Sequence, residues 1–156
     1  MKTFAYLQIV FALLFCLISC SKKTSVQGCT AQYVAPTIKF ILVDKTNGND
    51  LFFSASPNYS INELKMRFKN QANKFDSITP AIEVSGNNTK HFVYSVPALR
   101  SSDTCYVQIK GLISNSIYYV ISKDSSPCQT PFVSMVKVDN ENIINYKTND
   151  VITIKK

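Results

Sequence analysis

The sequence predicts an all-β domain of two packed sheets, and three observations carry that prediction. From Pro36 onward the apolar residues recur with period 2 or fall in short runs, and no helical period is sustained over a dozen residues. Turn signals, Asn47-Gly48 and Asn87-Asn88 among them, punctuate the chain at short intervals. Only 4 of the 156 residues are Gly, while β-branched and aromatic residues are plentiful. That composition buries a core rather than staying disordered.

The first element is not part of this domain. Lys2 precedes an apolar stretch from Phe4 to Ile18, broken only by Gln8 and followed by Ser19, Cys20 and the polar run Ser21, Lys22, Lys23. This is the layout of a secretory signal peptide, and the stretch is shorter than the ~20 apolar residues that span a bilayer. Leu17-Ile18-Ser19-Cys20 resembles the lipobox of bacterial lipoproteins. The resemblance implies removal of residues 1–19, a diacylglyceryl thioether on Cys20 with an acylated amine, and a membrane as partner through that anchor. Two or three acyl chains hold a protein on a bilayer stably where one does not. Ser21 resembles the outer-membrane sorting pattern of such proteins, which implies an outer-membrane anchor facing the periplasm, with surface exposure left open. Processing leaves 137 of the 156 residues. Residues 20–35 read as a tether and 36–156 as a single domain.

Within the domain the elements follow in order. Thr37 to Val43 is nearly continuous in apolar and β-branched residues, as in a strand buried on both faces. Asn47-Gly48 supplies a tight turn, and Leu51, Phe52 and Phe53 begin a second strand. From Glu63 to Lys69 alternation is strict, with Leu64, Met66 and Phe68 on one side and Lys65, Arg67 and Lys69 on the other. Ile82 and Val84 mark a further strand. After the Asn87-Asn88 turn, Phe92, Tyr94 and Val96 point inward and His91 outward. Residues 104–110 and 116–122 form a hairpin around Leu112 to Asn115, and two more strands run from Phe132 to Val138 and from Val151 to Lys155. About eight short strands at this spacing fit an immunoglobulin-like or transthyretin-like sandwich. The stretch Val43 to Leu51, Val-Asp-Lys-Thr-Asn-Gly-Asn-Asp-Leu, resembles the strand-turn-strand motif of small Bacteroidetes lipoproteins of unknown function. It is more distantly similar to the first hairpin of carboxypeptidase regulatory-like domains. Both resemblances imply a sandwich and no activity.

The chemistry is sparse. The formal charge of +7 is scattered along the chain, whereas a nucleic-acid reader concentrates its Lys and Arg in a patch; nucleic acid is excluded as a partner. With His91 as the single histidine, no catalytic triad or zinc motif assembles, so no catalytic residue, metal or cofactor is assigned. Asp44, Asn47, Asn49 and Asp50 are oxygen donors of the kind calcium takes, but their register is not that of an EF-hand and a plain turn is expected. Asp124, Ser125 and Ser126 read as turn chemistry before Pro127. Lys65, Arg67 and Lys69 form a basic row that, with Tyr106 and Tyr118 on the hairpin's outer face, is the candidate contact for an acidic glycan or a lipid headgroup. Its plainer reading is a solvated face with lysines guarding an edge. The function expected is a non-enzymatic envelope lipoprotein that binds another envelope component, such as an envelope protein, or serves a structural role; the alternative is a glycan- or lipid-headgroup-binding accessory lipoprotein, and a small enzyme or enzyme inhibitor is a third.

Three cysteines, Cys29, Cys105 and Cys128, remain once Cys16 is cleaved away and Cys20 acylated. In an oxidising compartment two of them pair. The hairpin reading sets Cys105 and Cys128 at its open end and so favours that bridge, with Cys29 joined to one of them as the alternative.

Overall fold

The computed structural model describes residues 34–97, 100–139, 141, 143–147 and 149–156. The signal segment 1–19, Cys20, Cys29 and nearly all of the tether lie outside the described residues.

Among the described residues ten strands build two sheets: β1 Thr37–Val43, β2 Leu64–Lys69, β3 Phe75–Ile78, β4 Ala81–Val84, β5 Lys90–Ser95, β6 Ser102–Ile109, β7 Asn115–Lys123, β8 Pro131–Val138, β9 Ile144–Asn145 and β10 Val151–Lys155. One sheet has the order β10-β1-β5-β4 and the other β3-β2-β6-β7-β8-β9. The sole helical element among the described residues is a 3-10 turn, Ile61–Glu63, leading into β2. The fold is an all-β sandwich. Its core interleaves Ile38, Phe40, Phe92 and Tyr94 from the first sheet with Leu64, Met66, Val107, Ile117 and Tyr119 from the second. Aromatic pairs stitch it: Phe68 meets Tyr94 across the sheets at 6.3 Å between ring centroids, and Phe40 meets Phe92 at 5.5 Å.

β1 is the central strand of the smaller sheet, antiparallel to β5 and parallel to β10. It is buried on one face rather than two. Ile38, Phe40 and Leu42 are sealed in the core, while Thr37, Lys39 and Ile41 are half-covered. The run looks continuous in sequence because Thr37 and Ile41, both β-branched, satisfy strand propensity on the outer face without being buried.

The expected strand at Leu51–Phe53 does not form. Gly48 takes φ +73° in the turn, as anticipated, and Val43 bridges Asp50. Beyond that point Asp50 Oδ1 accepts the backbone N–H groups of Phe52 at 2.8 Å and Phe53 at 2.7 Å, donors that a strand would spend on a ladder. The segment becomes a loop that still buries Leu51 and Phe52. The Phe52 ring stands edge-on to Phe92 at 5.1 Å, so the apolar side chains serve the core without a strand.

The β6–β7 hairpin sets the register of the larger sheet. Cys105 lies opposite Ile117 and Val107 opposite Asn115, and Cys105, Val107, Ile109, Ile117 and Tyr119 all face inward as the alternation predicts. On its other side β6 pairs with β2, Met66 opposite Val107 and Arg67 opposite Tyr106. A register shift at Val120/Ile121 bends β7, and Ser122 Oγ donates to Ser134 Oγ at 2.8 Å beside it.

Candidate ligand-binding face

Alternation along β2 buries Leu64 and Met66 completely and turns Lys65, Arg67 and Lys69 to the outer face of the six-stranded sheet. The outward residues of neighbouring strands then follow from register. Arg67 is opposite Ser77 on β3 and Tyr106 on β6, Tyr106 is opposite Ser116 on β7, and Lys69 is opposite Phe75 on β3. Tyr118, 37% exposed, stands between Thr104 on β6 and Lys137 on β8. The structure thus gathers all five sequence-predicted contact residues, Lys65, Arg67, Lys69, Tyr106 and Tyr118, on one face. Lys65 and Arg67 lie half-buried along the sheet rather than free in solvent.

Sequence reasoning missed the residue at the centre of this arrangement. Phe75 is 47% exposed, with the Arg67 guanidinium 4.9 Å from its ring centroid and the Lys69 ammonium at 5.7 Å. Tyr106 meets it at 5.8 Å with the rings inclined by 64°. Such stacking of a cation on an aromatic face contributes about 0.5–1 kcal/mol at an exposed site. β3 escapes a sequence reading because its two apolar residues, Phe75 and Ile78, fall on opposite faces and so show no alternation. Its only signals are the breakers around it, Asn70 to Asn73 and Pro80. Polar side chains flanking the row are also engaged: Lys65 Nζ donates to Thr79 Oγ1 at 2.7 Å and Arg67 Nη1 to Gln108 Oε1 at 3.4 Å. Across β3, β2, β6, β7 and β8 the outward positions carry the cations Lys65, Arg67, Lys69 and Lys137 and no carboxylate. Asp139, just past β8, is tied down by Asn115 Nδ2 at 2.6 Å and Ser116 N at 2.6 Å.

No family model, curated protein or solved structure matches this chain.

The other residues singled out from sequence are placed as follows. His91 is not an exposed strand histidine: it does alternate with Phe92, yet it is only 3% exposed. Alternation fixes a face and not an exposure. β5 runs between β1 and β4, which flank His91 with long side chains. Glu83 lies opposite it, with Oε2 3.8 Å from His91 Nε2, and Lys39 Nζ donates to Glu83 Oε1 at 2.9 Å. The Lys39 hydrogen bond holds the Glu83 carboxyl below the usual carboxylate range. His91 Nε2 has no hydrogen-bond partner there.

The oxygens of the Asp44 to Asp50 segment are directed at backbone. Asp44 Oδ1 accepts from Thr46 N and Asn47 N, Asn47 Oδ1 from Asn49 N, and Asp50 Oδ1 from Phe52 N and Phe53 N. The two backbone donors keep the Asp44 carboxyl below its ordinary range. Asp124 does the same in its own turn, accepting from Ser126 and Thr130. Among the described residues no group of three or more His, Cys, Asp or Glu is placed to hold a metal ion.

The expected Cys105–Cys128 bridge is not made. Cys105 is a free thiol without exposure, and it donates to the Ile117 carbonyl at 3.7 Å. Burial pushes its pKa well above the usual thiol range, and the Asp103 charge adds to the shift. The hairpin reading failed on length. β6 begins at Ser102 and β7 runs to Lys123, so Cys105 sits within the paired region facing the core, while Cys128 belongs to the exposed loop before β8. Cys128 is disulfide-bonded, to a partner other than Cys105.

Proposed function

We propose that the chain is a membrane-anchored envelope lipoprotein whose β-sandwich is a non-enzymatic binding module, holding an anionic envelope component on the outer face of the six-stranded sheet. One observation carries this reading: that face presents cations on β2 and β8 with no carboxylate in its outward positions. Segregation of this kind focuses a positive potential over one surface and attracts anionic ligands, a stronger signal than a scattered net charge. The lipobox at Leu17-Ile18-Ser19-Cys20 supports the anchor.

A chain of pI ≈ 9.2 adheres to many polyanions, so the test must separate the face from the net charge. The full chain in detergent is passed over dextran sulfate and neutral dextran beads at rising salt. Retention on the sulfated beads alone, released by salt, is expected. Lys65→Glu/Arg67→Glu/Lys69→Glu should abolish it. Lys45→Glu/Lys90→Glu/Lys123→Glu, which reverses the same number of cations at exposed positions elsewhere, should retain most of it. Equal loss in both triple variants sinks the assignment of this face.

A further inference from the structure

We infer that the ligand is a linear acidic polysaccharide lying along β2, with a sugar ring seated on Phe75; this rests on the anionic contact face proposed above. Successive outward residues on a strand are separated by about 7 Å, so Lys65, Arg67 and Lys69 form a straight row of about 14 Å. A row of cations at regular spacing complements anionic groups repeated along an extended chain, whereas diffusible headgroups need no such row.

An aromatic ring stands beside that row. Phe75 is held by the Arg67 guanidinium 4.9 Å from its centroid and by the edge contact with Tyr106, yet it leaves nearly half its surface open. A fixed, partly open aromatic ring next to a charged row offers apolar surface to the C–H face of a pyranose, and ring rigidity keeps the entropy cost of binding low. Thr79 and Gln108, hydrogen-bonded to Lys65 and Arg67, set a hydroxyl and an amide beside the cation row, groups of the kind that pair with sugar hydroxyls. The planar guanidinium of Arg67 suits a carboxylate.

A bilayer surface fits less well. Membrane docking pushes apolar side chains past a rim of cations into the acyl boundary. Here cations lie over the exposed aromatic, the remaining outward positions of β2, β3 and β6 are Ser, Thr, Tyr and Gln, and the apolar outward residues of β7 and β8, Val120 and Met135, are half-covered.

The experiment immobilises the full chain in detergent and presents three probes: polygalacturonate, neutral dextran, and nanodiscs of phosphatidylglycerol compared with phosphatidylcholine so that insertion of the lipid anchor cancels. Polygalacturonate is expected to bind, dextran not, and the two nanodiscs alike. Phe75→Ala should weaken polygalacturonate binding about tenfold, roughly 1.4 kcal/mol, while leaving its salt dependence unchanged. Phe75→Tyr should restore it, which a merely misfolded edge strand would not allow. Preference for phosphatidylglycerol discs without polygalacturonate binding, or indifference to Phe75→Ala, overturns the polysaccharide while the basic face stands. Indifference of all three probes to Lys65→Glu/Arg67→Glu/Lys69→Glu overturns both.

Discussion

Lys156 carries its charge where the two sheets meet. It follows β10 of the smaller sheet, and its ammonium donates to Val107 O on β6 of the larger one at 3.0 Å and to Ile113 O in the β6–β7 turn at 2.7 Å. Burial pushes its pKa down to about 8, against the opposing pull of the Asp139 charge. An unfolded lysine titrates near ~10.4. Below pH 8 both states are protonated and the cost of burying the charge is present in full. Between pH 8 and ~10.4 the folded state has released a proton that the unfolded state still binds, so the contribution of this group to stability rises with pH across that window. The side chain is only half-buried, and solvent screening keeps the effect to about 1 kcal/mol. Melts at pH 7 and pH 10 should therefore show wild type gaining in Tm relative to Lys156→Met. A constant difference between the two proteins would show that the ammonium is not desolvated.

At the scale of the strand, β2 tests the facing assigned to the whole larger sheet. Lys65→Glu/Arg67→Glu/Lys69→Glu should fold with a Tm only a few degrees lower, since it removes the Phe75 cation stacking of about 0.5–1 kcal/mol and no core contact. Met66→Glu should fail to fold at 37 °C, because it places a carboxylate in a site with no exposure. Circular dichroism of the two variants decides, and the reverse outcome would mean a register shifted by one residue. Strands of this kind were legible in the sequence: strict alternation identified β2, β5 and both arms of the β6–β7 hairpin with their inward residues. Two kinds of information were not. Local capping is invisible to periodicity, so Asp50 removed the strand expected at Leu51–Phe53 through two hydrogen bonds. Strand order is invisible as well, so the burial of His91 between β1 and β4 and the approach of Phe75 to Arg67 emerged only from the pairing. The candidate face was accordingly half legible, its cations and tyrosines from alternation and its aromatic centre from topology.

At the scale of the whole molecule, the fates of its five cysteines test the proposed anchor and the sandwich together. A disulfide at Cys128 fits a protein exported to an oxidising compartment. Cys105 is withdrawn from that chemistry by its burial in the core. Cys16 leaves with the signal peptide in the lipoprotein reading, and the sulfur of Cys20 is consumed by the thioether. Only Cys29 then remains for Cys128, and the bridge closes a loop of about 100 residues, for which the chain-entropy model gives about 4.7 kcal/mol less any strain. The two modifications constrain one another, since an unlipidated Cys20 would be a second thiol competing for Cys128. Protein extracted from membranes is alkylated, digested without reductant and analysed by mass spectrometry. The expected products are an acylated N-terminal Cys20 peptide, a Cys29–Cys128 disulfide peptide, and Cys105 as a thiol that alkylates only after denaturation. An unmodified Cys20 would refute the anchor, and recovery of Cys105 in a disulfide would refute its place in the core.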